Sequence, residues 1–201
     1  MSIDIINLRK SYGKIDILKG ISYNFKDHKK YLIKGENGIG KSTLFKAILH
    51  QISYLGEINI EGRISYSPEG FNFPPYMSLY RTIKIFSTLS EDILDFENKL
   101  ANLLKLFKLE EHKNAYLGSL SKGEKQKVNL IQSYLTPSEI LLLDEPLSGL
   151  DSESKEKFLN LIKKDDRLVI IISHEISNFN ANDFNILEIE NGIIKTISKI
   201  H

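Results

Sequence analysis

Three short stretches carry side chains that could act on a phosphate. Gly35-Glu36-Asn37-Gly38-Ile39-Gly40-Lys41-Ser42-Thr43 satisfies the pattern G-x-x-x-x-G-K-[S/T]. Its glycines admit backbone angles that side chains forbid, so successive N–H groups can converge on phosphate oxygens. Lys41 can reach the terminal phosphates, and the Ser42 hydroxyl can ligate Mg²⁺. Asp144-Glu145 adds two carboxylates. Asp144 is placed to hold Mg²⁺ through water, and Glu145 to polarise a water against a γ-phosphate. Ser121-Lys122-Gly123 precedes a helical pattern, so Ser121 falls at a helix N-terminus and Gly123 permits close backbone approach. That end is either a second anion site or simply a serine N-cap. The first stretch implies binding of a nucleoside triphosphate.

The flanks supply the elements these residues need. Tyr31-Leu32-Ile33 reads as a strand entering the glycine loop, and Leu44, Phe45, Ile48 and Leu49 mark one face of a helix leaving it. Residues 3 to 34 look strand-rich, with Tyr12 in the connector Lys10 to Lys14, where an aromatic could stack on a base. Glu57–Ile60 and Arg63–Ser67 alternate about Gly62 and predict a β-hairpin. After Pro74-Pro75 the period becomes helical: Leu79, Ile83 and Phe86 share one face. Ile93, Phe96, Leu100, Leu103 and Phe107 share another, after a start signal at Ser90-Glu91-Asp92. A helical lobe is expected over about 72–135, inserted into an α/β core, the whole chain 1–201 forming a single domain. Ile140 to Leu143 and Leu168 to Ile172 read as strands buried on both faces of a parallel sheet. A helix is expected over 152–164, and Asn191-Gly192 predicts a two-residue hairpin turn.

Bulk properties narrow the class. The chain has 201 residues, 41% hydrophobic and 26% charged, with a net charge of +1, as in ordinary globular domains. Without a concentrated basic arm, nucleic acid is not expected as a partner. The absence of cysteine excludes disulfides and thiolate metal sites. Met1-Ser2-Ile3-Asp4 opens no basic-then-apolar segment, so no signal peptide is expected, and the apolar run 168–172 is too short to span a bilayer.

Taken in order, the glycine loop at 35–43, Leu120-Ser121-Lys122-Gly123-Glu124-Lys125-Gln126, Ile140 to Glu145, Ser148-Gly149-Leu150-Asp151 and Ser173-His174 resemble the motif series of ATP-binding cassette (ABC) ATPases. The resemblance covers essentially the whole chain. It implies an α/β fold: a P-loop NTPase core of mostly parallel sheet, an N-terminal antiparallel β subdomain and an inserted helical lobe. It implies an Mg²⁺-dependent ATPase with ATP and Mg²⁺ as cofactors. Tyr12 would stack on adenine, and Asn37, Gly38, Gly40, Lys41, Ser42 and Thr43 would hold phosphates and metal. Ser121 and Gly123 would cap the γ-phosphate of a partner subunit's ATP. Asp144 would serve the metal, Glu145 would be the catalytic glutamate, Asp151 the D-loop aspartate, and His174 the switch histidine at the γ-phosphate.

Three positions, in two of the motifs, depart from the commonest form. Lys122 and Glu124 stand where L-S-G-G-Q has Gly and Gln, and Glu69, after Tyr66-Ser67-Pro68, falls where a glutamine is expected. A carboxylate at 69 can still ligate Mg²⁺ while adding negative charge near phosphate. The implied role is the ATPase subunit of a membrane transporter. It would pair with itself or another ATPase subunit and sit peripherally on the cytoplasmic face of the cell membrane, through a transmembrane permease. Phe71, Phe73, Pro74, Pro75 and Tyr76 form an apolar patch suited to docking that permease, or else pack within the lobe. The compact chain points to export. The alternative is a soluble cassette ATPase acting on ribosomes or DNA; neither tandem cassettes nor a long coiled-coil insertion is present.

Overall fold

In chain order the computed structural model contains β1 (Ser2–Tyr12), β2 (Ile15–Lys26), β3 (Lys30–Lys34), α1 (Lys41–Ile48), β4 (Leu55–Glu61) and β5 (Ile64–Ser67). There follow α2 (Leu79–Ser87), α3 (Phe96–Phe107), α4 (Lys122–Leu135), β6 (Ile140–Asp144), α5 (Ser152–Lys163), β7 (Leu168–Ile172), β8 (Asn185–Glu190) and β9 (Ile193–Thr196). The structure describes residues 1–70, 73–88, 94–174 and 176–197. The helix-start signal Ser90-Glu91-Asp92, Ile93, and Phe71 of the apolar patch lie outside the described residues. The fold is α/β, as expected, and divides into two compact units, Met1–Gly62 with Asp166–His201, and Arg63–Asp165.

The first unit holds an antiparallel sheet in the order β2-β1-β4. Alternation explains its one buried face: Ile3, Ile5 and Leu8 from β1 point inward with Ile21 and Phe25 from β2. The same unit holds β7, β3 and β8 as parallel neighbours, with β9 antiparallel on β8. β7 is Leu-Val-Ile-Ile-Ile and is buried throughout. β3 buries Tyr31, Leu32 and Ile33, so these two apolar runs are covered on both faces. The β8–β9 turn is Asn191-Gly192, both at positive φ (51° and 78°), the conformation that dipeptide favours.

The second unit pairs β5 with β6 in parallel, Ile64 beside Ile140 and Ser67 beside Leu143. The expected hairpin about Gly62 is therefore absent. β4 pairs antiparallel with β1, while β5 pairs with β6 in the other unit. Both segments alternate because each half-buries itself, and alternation does not name the partner.

Helices α2, α3 and α4 belong to this second unit together with β5, β6 and α5. Leu79 and Ile83 of α2 and Leu100, Leu103 and Phe107 of α3 are buried, the faces the helical period indicated. Phe73 turns inward onto Phe86 of α2 with ring centroids 5.0 Å apart, whereas Tyr76 is 76% exposed. The apolar patch is thus only partly a surface.

Candidate nucleotide site

In the first unit the glycine loop joins β3 to α1. Gly40 is the N-cap of α1 at φ 116°, and a Cβ there would lie 2.8 Å from Ile17 Cγ2, so conformation and space both demand glycine. No side chain caps α1, which leaves the N–H groups of its first turn directed out of the helix. Lys41 is only 7% exposed, and its Nζ donates to the carbonyls of Gly35 at 2.7 Å and Glu36 at 2.9 Å. The ammonium is thereby held inside the curl of the loop. Asn37, Gly38 and Ser42 are exposed at its crest and Thr43 is half-buried.

β3 and β7 are parallel neighbours, Ile33 beside Ile172, and the Ser173 amide donates to the Ile33 carbonyl at 3.3 Å. Gly35 and His174 therefore leave the sheet at one edge, where His174 is exposed. Tyr12 is not in a loop: it closes β1 opposite Ile15, is 48% exposed, and carries Lys10 Nζ 4.9 Å from its ring centre. One face of the ring is thus already beside a cation.

The second unit brings the other candidates to the carboxyl edge of β5 and β6. Asp144 and Glu145 are 5% and 7% exposed, and Glu145 takes a positive φ of 50°, uncommon for a side chain of its size. Burial drives the Tyr66 phenol well above its ordinary value, and the charges of Asp144 and Glu69 push it the same way. Both carboxylates accordingly act on Tyr66. Glu69 itself is exposed.

Ser121 caps α4 in a reciprocal box. The Glu124 amide donates to Ser121 Oγ at 3.3 Å, and the Ser121 amide to Glu124 Oε2 at 2.7 Å. That bond holds the Glu124 carboxyl below its usual range, with the Ser121 hydroxyl adding to it. Glutamate in place of the motif's glutamine therefore strengthens the cap. Asp151 caps α5, accepting from the Ser154 amide and hydroxyl at 2.9 Å each, and Lys127 Nζ lies 3.4 Å from its Oδ2.

Sequence reasoning passed over two residues of α4. Asn129, 2% exposed, donates through Nδ2 to the Gly70 carbonyl at 2.8 Å and reaches that of Pro68 at 3.4 Å. Lys127 donates to the Phe107 carbonyl at 3.0 Å as well as facing Asp151. The only local signal was polarity beside the apolar positions Val128 and Leu130, which names no partner.

Among the described residues no group of three His, Cys, Asp or Glu side chains could hold a metal ion by itself. The Ser42 hydroxyl and the Asp144 carboxylate are each, taken singly, oxygen donors of the type a hard cation such as Mg²⁺ accepts. No helix among the described residues is long and apolar enough to cross a membrane.

Comparison with known proteins matches residues 18–148 to the family model described as ABC transporter. A zinc import ATP-binding protein of Rickettsia bellii is 32% identical over 87% of this chain and 76% of its own length. A macrolide export ATP-binding/permease protein of Bdellovibrio bacteriovorus is 27% identical over 98% of this chain and 34% of its own length. An ATP-binding cassette solved as a dimer in a post-hydrolysis state with ADP and phosphate superposes with a TM-score of 0.84. It is 24% identical and covers 98% of this chain and 100% of that one, a likeness of fold. The matched span takes in the glycine loop, the Ser121 cap and the Asp144-Glu145 pair, and the chain belongs to the ABC transporter family as an ATP-binding, ATP-hydrolysing domain.

Proposed function

We propose that the chain is the ATPase subunit of a membrane transporter, working as a pair of subunits that share two ATP molecules. The observation that carries this reading is the preformed loop, with Lys41 Nζ held by the Gly35 and Glu36 carbonyls beside the uncapped start of α1. Such a loop cradles the phosphates from one side and leaves the outer face of the γ-phosphate to another donor. Ser121 and Gly123 of a second copy, at the capped start of α4, are the donors proposed for that face.

Within one copy, Lys41 grips the terminal phosphates, and Asn37, Gly38, Gly40 and Thr43 supply loop contacts. Ser42 and Asp144 would hold Mg²⁺, which when bound offsets charge on the phosphate oxygens. Glu145 accepts the proton of the attacking water, and its buried carboxylate on a strained backbone position suits a fixed task. His174 touches the γ-phosphate, Asp151 orders the segment between Glu145 and α5, and Tyr12 receives the base on the ring face away from Lys10. ATP then acts as interfacial glue, and its hydrolysis releases the pair.

The membrane partner is a separate permease, met through the exposed part of the patch that includes Pro75 and Tyr76, so the subunit is peripheral to the membrane. Its relatives include both an import and an export protein, so their names favour neither direction. The shared site is tested by complementation. Lys41→Met and Ser121→Arg variants, each inactive alone, should regain ATPase activity when mixed, because one composite site is then intact; no recovery on mixing would remove the shared-site reading.

A further inference from the structure

Lys122, Gln126 and Asn129 stand at i, i+4 and i+7 of α4 and so share one face of the helix. The segment Pro68-Glu69-Gly70 lies against that face, because Asn129 Nδ2 reaches the carbonyls on both sides of Glu69, at 3.4 and 2.8 Å. The backbone on both sides of Glu69 is thereby held against the face of α4 that carries Gln126 and Lys122. Glu69, Gly70, Gln126 and Lys122 line a cleft of about 340 Å³, bounded also by Gly123, Ser148 and Gly149.

Gln126 is 6% exposed, and its Nε2 has no hydrogen-bond partner among the described residues. A buried amide donor calls for an acceptor. Among the described residues lining the cleft, the carboxylate is that of Glu69. Lys122 supplies a cation at the rim, and the first turn of α4 favours an anion in the same place. Positions 69 and 122 are two of the three at which this chain departs from the family motifs, and they bring opposite charges to one cleft.

We propose that Glu69 is the counter-charge of the signature helix. Its carboxylate closes into the cleft, accepts from Gln126 Nε2 and pairs with Lys122. In this role it positions Ser121 and Gly123 and is not a ligand of Mg²⁺. The pairing stands on the cleft alone; its effect on turnover rests on the function proposed above.

The test is a double-mutant cycle on the nucleotide-free protein, unfolded in urea: wild type, Glu69→Gln, Lys122→Met and the double variant. The pairing predicts that the double variant loses less than the sum of the single losses, by roughly 2- to 10-fold in the folding equilibrium. In the ATPase assay Glu69→Gln should lower kcat roughly 3- to 10-fold with the Mg²⁺ half-saturation unchanged. The exchanged pair, Glu69→Lys with Lys122→Glu, should recover part of that loss. Additive losses in urea would overturn the pairing. So would a Mg²⁺ half-saturation that Glu69→Gln shifts equally with and without Lys122→Met, the mark of a metal ligand. A wild-type protein without ATPase activity would remove the proposed function, and the urea cycle would still decide the pairing.

Discussion

Gly123 and Gly149 meet backbone to backbone: a Cβ built on Gly123 would lie 2.9 Å from the Gly149 carbonyl oxygen, and one on Gly149 would lie 3.3 Å from Gly123 Cα. The first turn of α4 is therefore seated directly on the segment that follows Glu145. A displacement of that segment cannot leave the Ser121 cap where it was, because there is no side chain between them to yield. This contact gives the glycine of the signature a mechanical reason beyond approach to a phosphate.

Gly123→Ala should accordingly cost about 1–3 kcal/mol of stability, since the neighbour is backbone and cannot swing aside. Urea denaturation measures it. A loss near zero would mean that α4 shifts freely over Gly149.

Asn129→Ala should cost about 1–3 kcal/mol, because two carbonyls lose a buried donor. The amides of residues 68–70 should at the same time exchange faster with solvent. Unchanged exchange in that segment would show that Asn129 does not hold it.

Stability should fall in acid through a definable set of groups. The Ser154 amide, its hydroxyl and then Lys127 and Lys108 hold the Asp151 carboxyl well below the usual carboxylate range. Lys108 and Lys157 push Glu153 down to about 2. Folded-state values below the unfolded ones, which lie near 4, mean that the stabilisation is present above about pH 4.5 and is lost as pH falls toward 2. Tm measured from pH 6 to pH 3 should therefore fall less steeply for Asp151→Asn than for wild type, and added salt should narrow the difference because these groups are exposed. Parallel curves would show that the Asp151 contacts contribute nothing.

Glu145→Gln should lower turnover by roughly 10²–10⁴-fold and leave ATP binding intact. Hydrolysis at the wild-type rate would remove Glu145 as the base.

Much of this architecture is legible residue by residue. Tyr31 to Ile33 and Leu168 to Ile172 announce strands buried on both faces, and the Ser121 cap and the Asn191-Gly192 turn are short-range chemistry visible in a few residues. What escaped is long-range. The alternation about Gly62 looks like one hairpin, yet β4 and β5 serve different sheets. By sequence Tyr12 falls in the connector Lys10 to Lys14, although β1 runs on to pair Tyr12 with Ile15. Asn129 spans 59 residues to Gly70, and nothing near either position signals the other. The candidate site shows the same division. Each cluster can be placed at a strand or helix end from its own neighbourhood, whereas the bonds that tie Pro68 and Gly70 to α4, or Asp151 to Lys127, require the folded chain.

Whether ATP joins two copies of this chain is decided by sedimentation velocity of the Glu145→Gln variant with ATP and Mg²⁺. A shared site gives a monomer without nucleotide and a dimer with ATP, the dimer being lost when Ser121→Arg is added to the same chain. A species that stays monomeric with saturating ATP at tens of micromolar protein would contradict it.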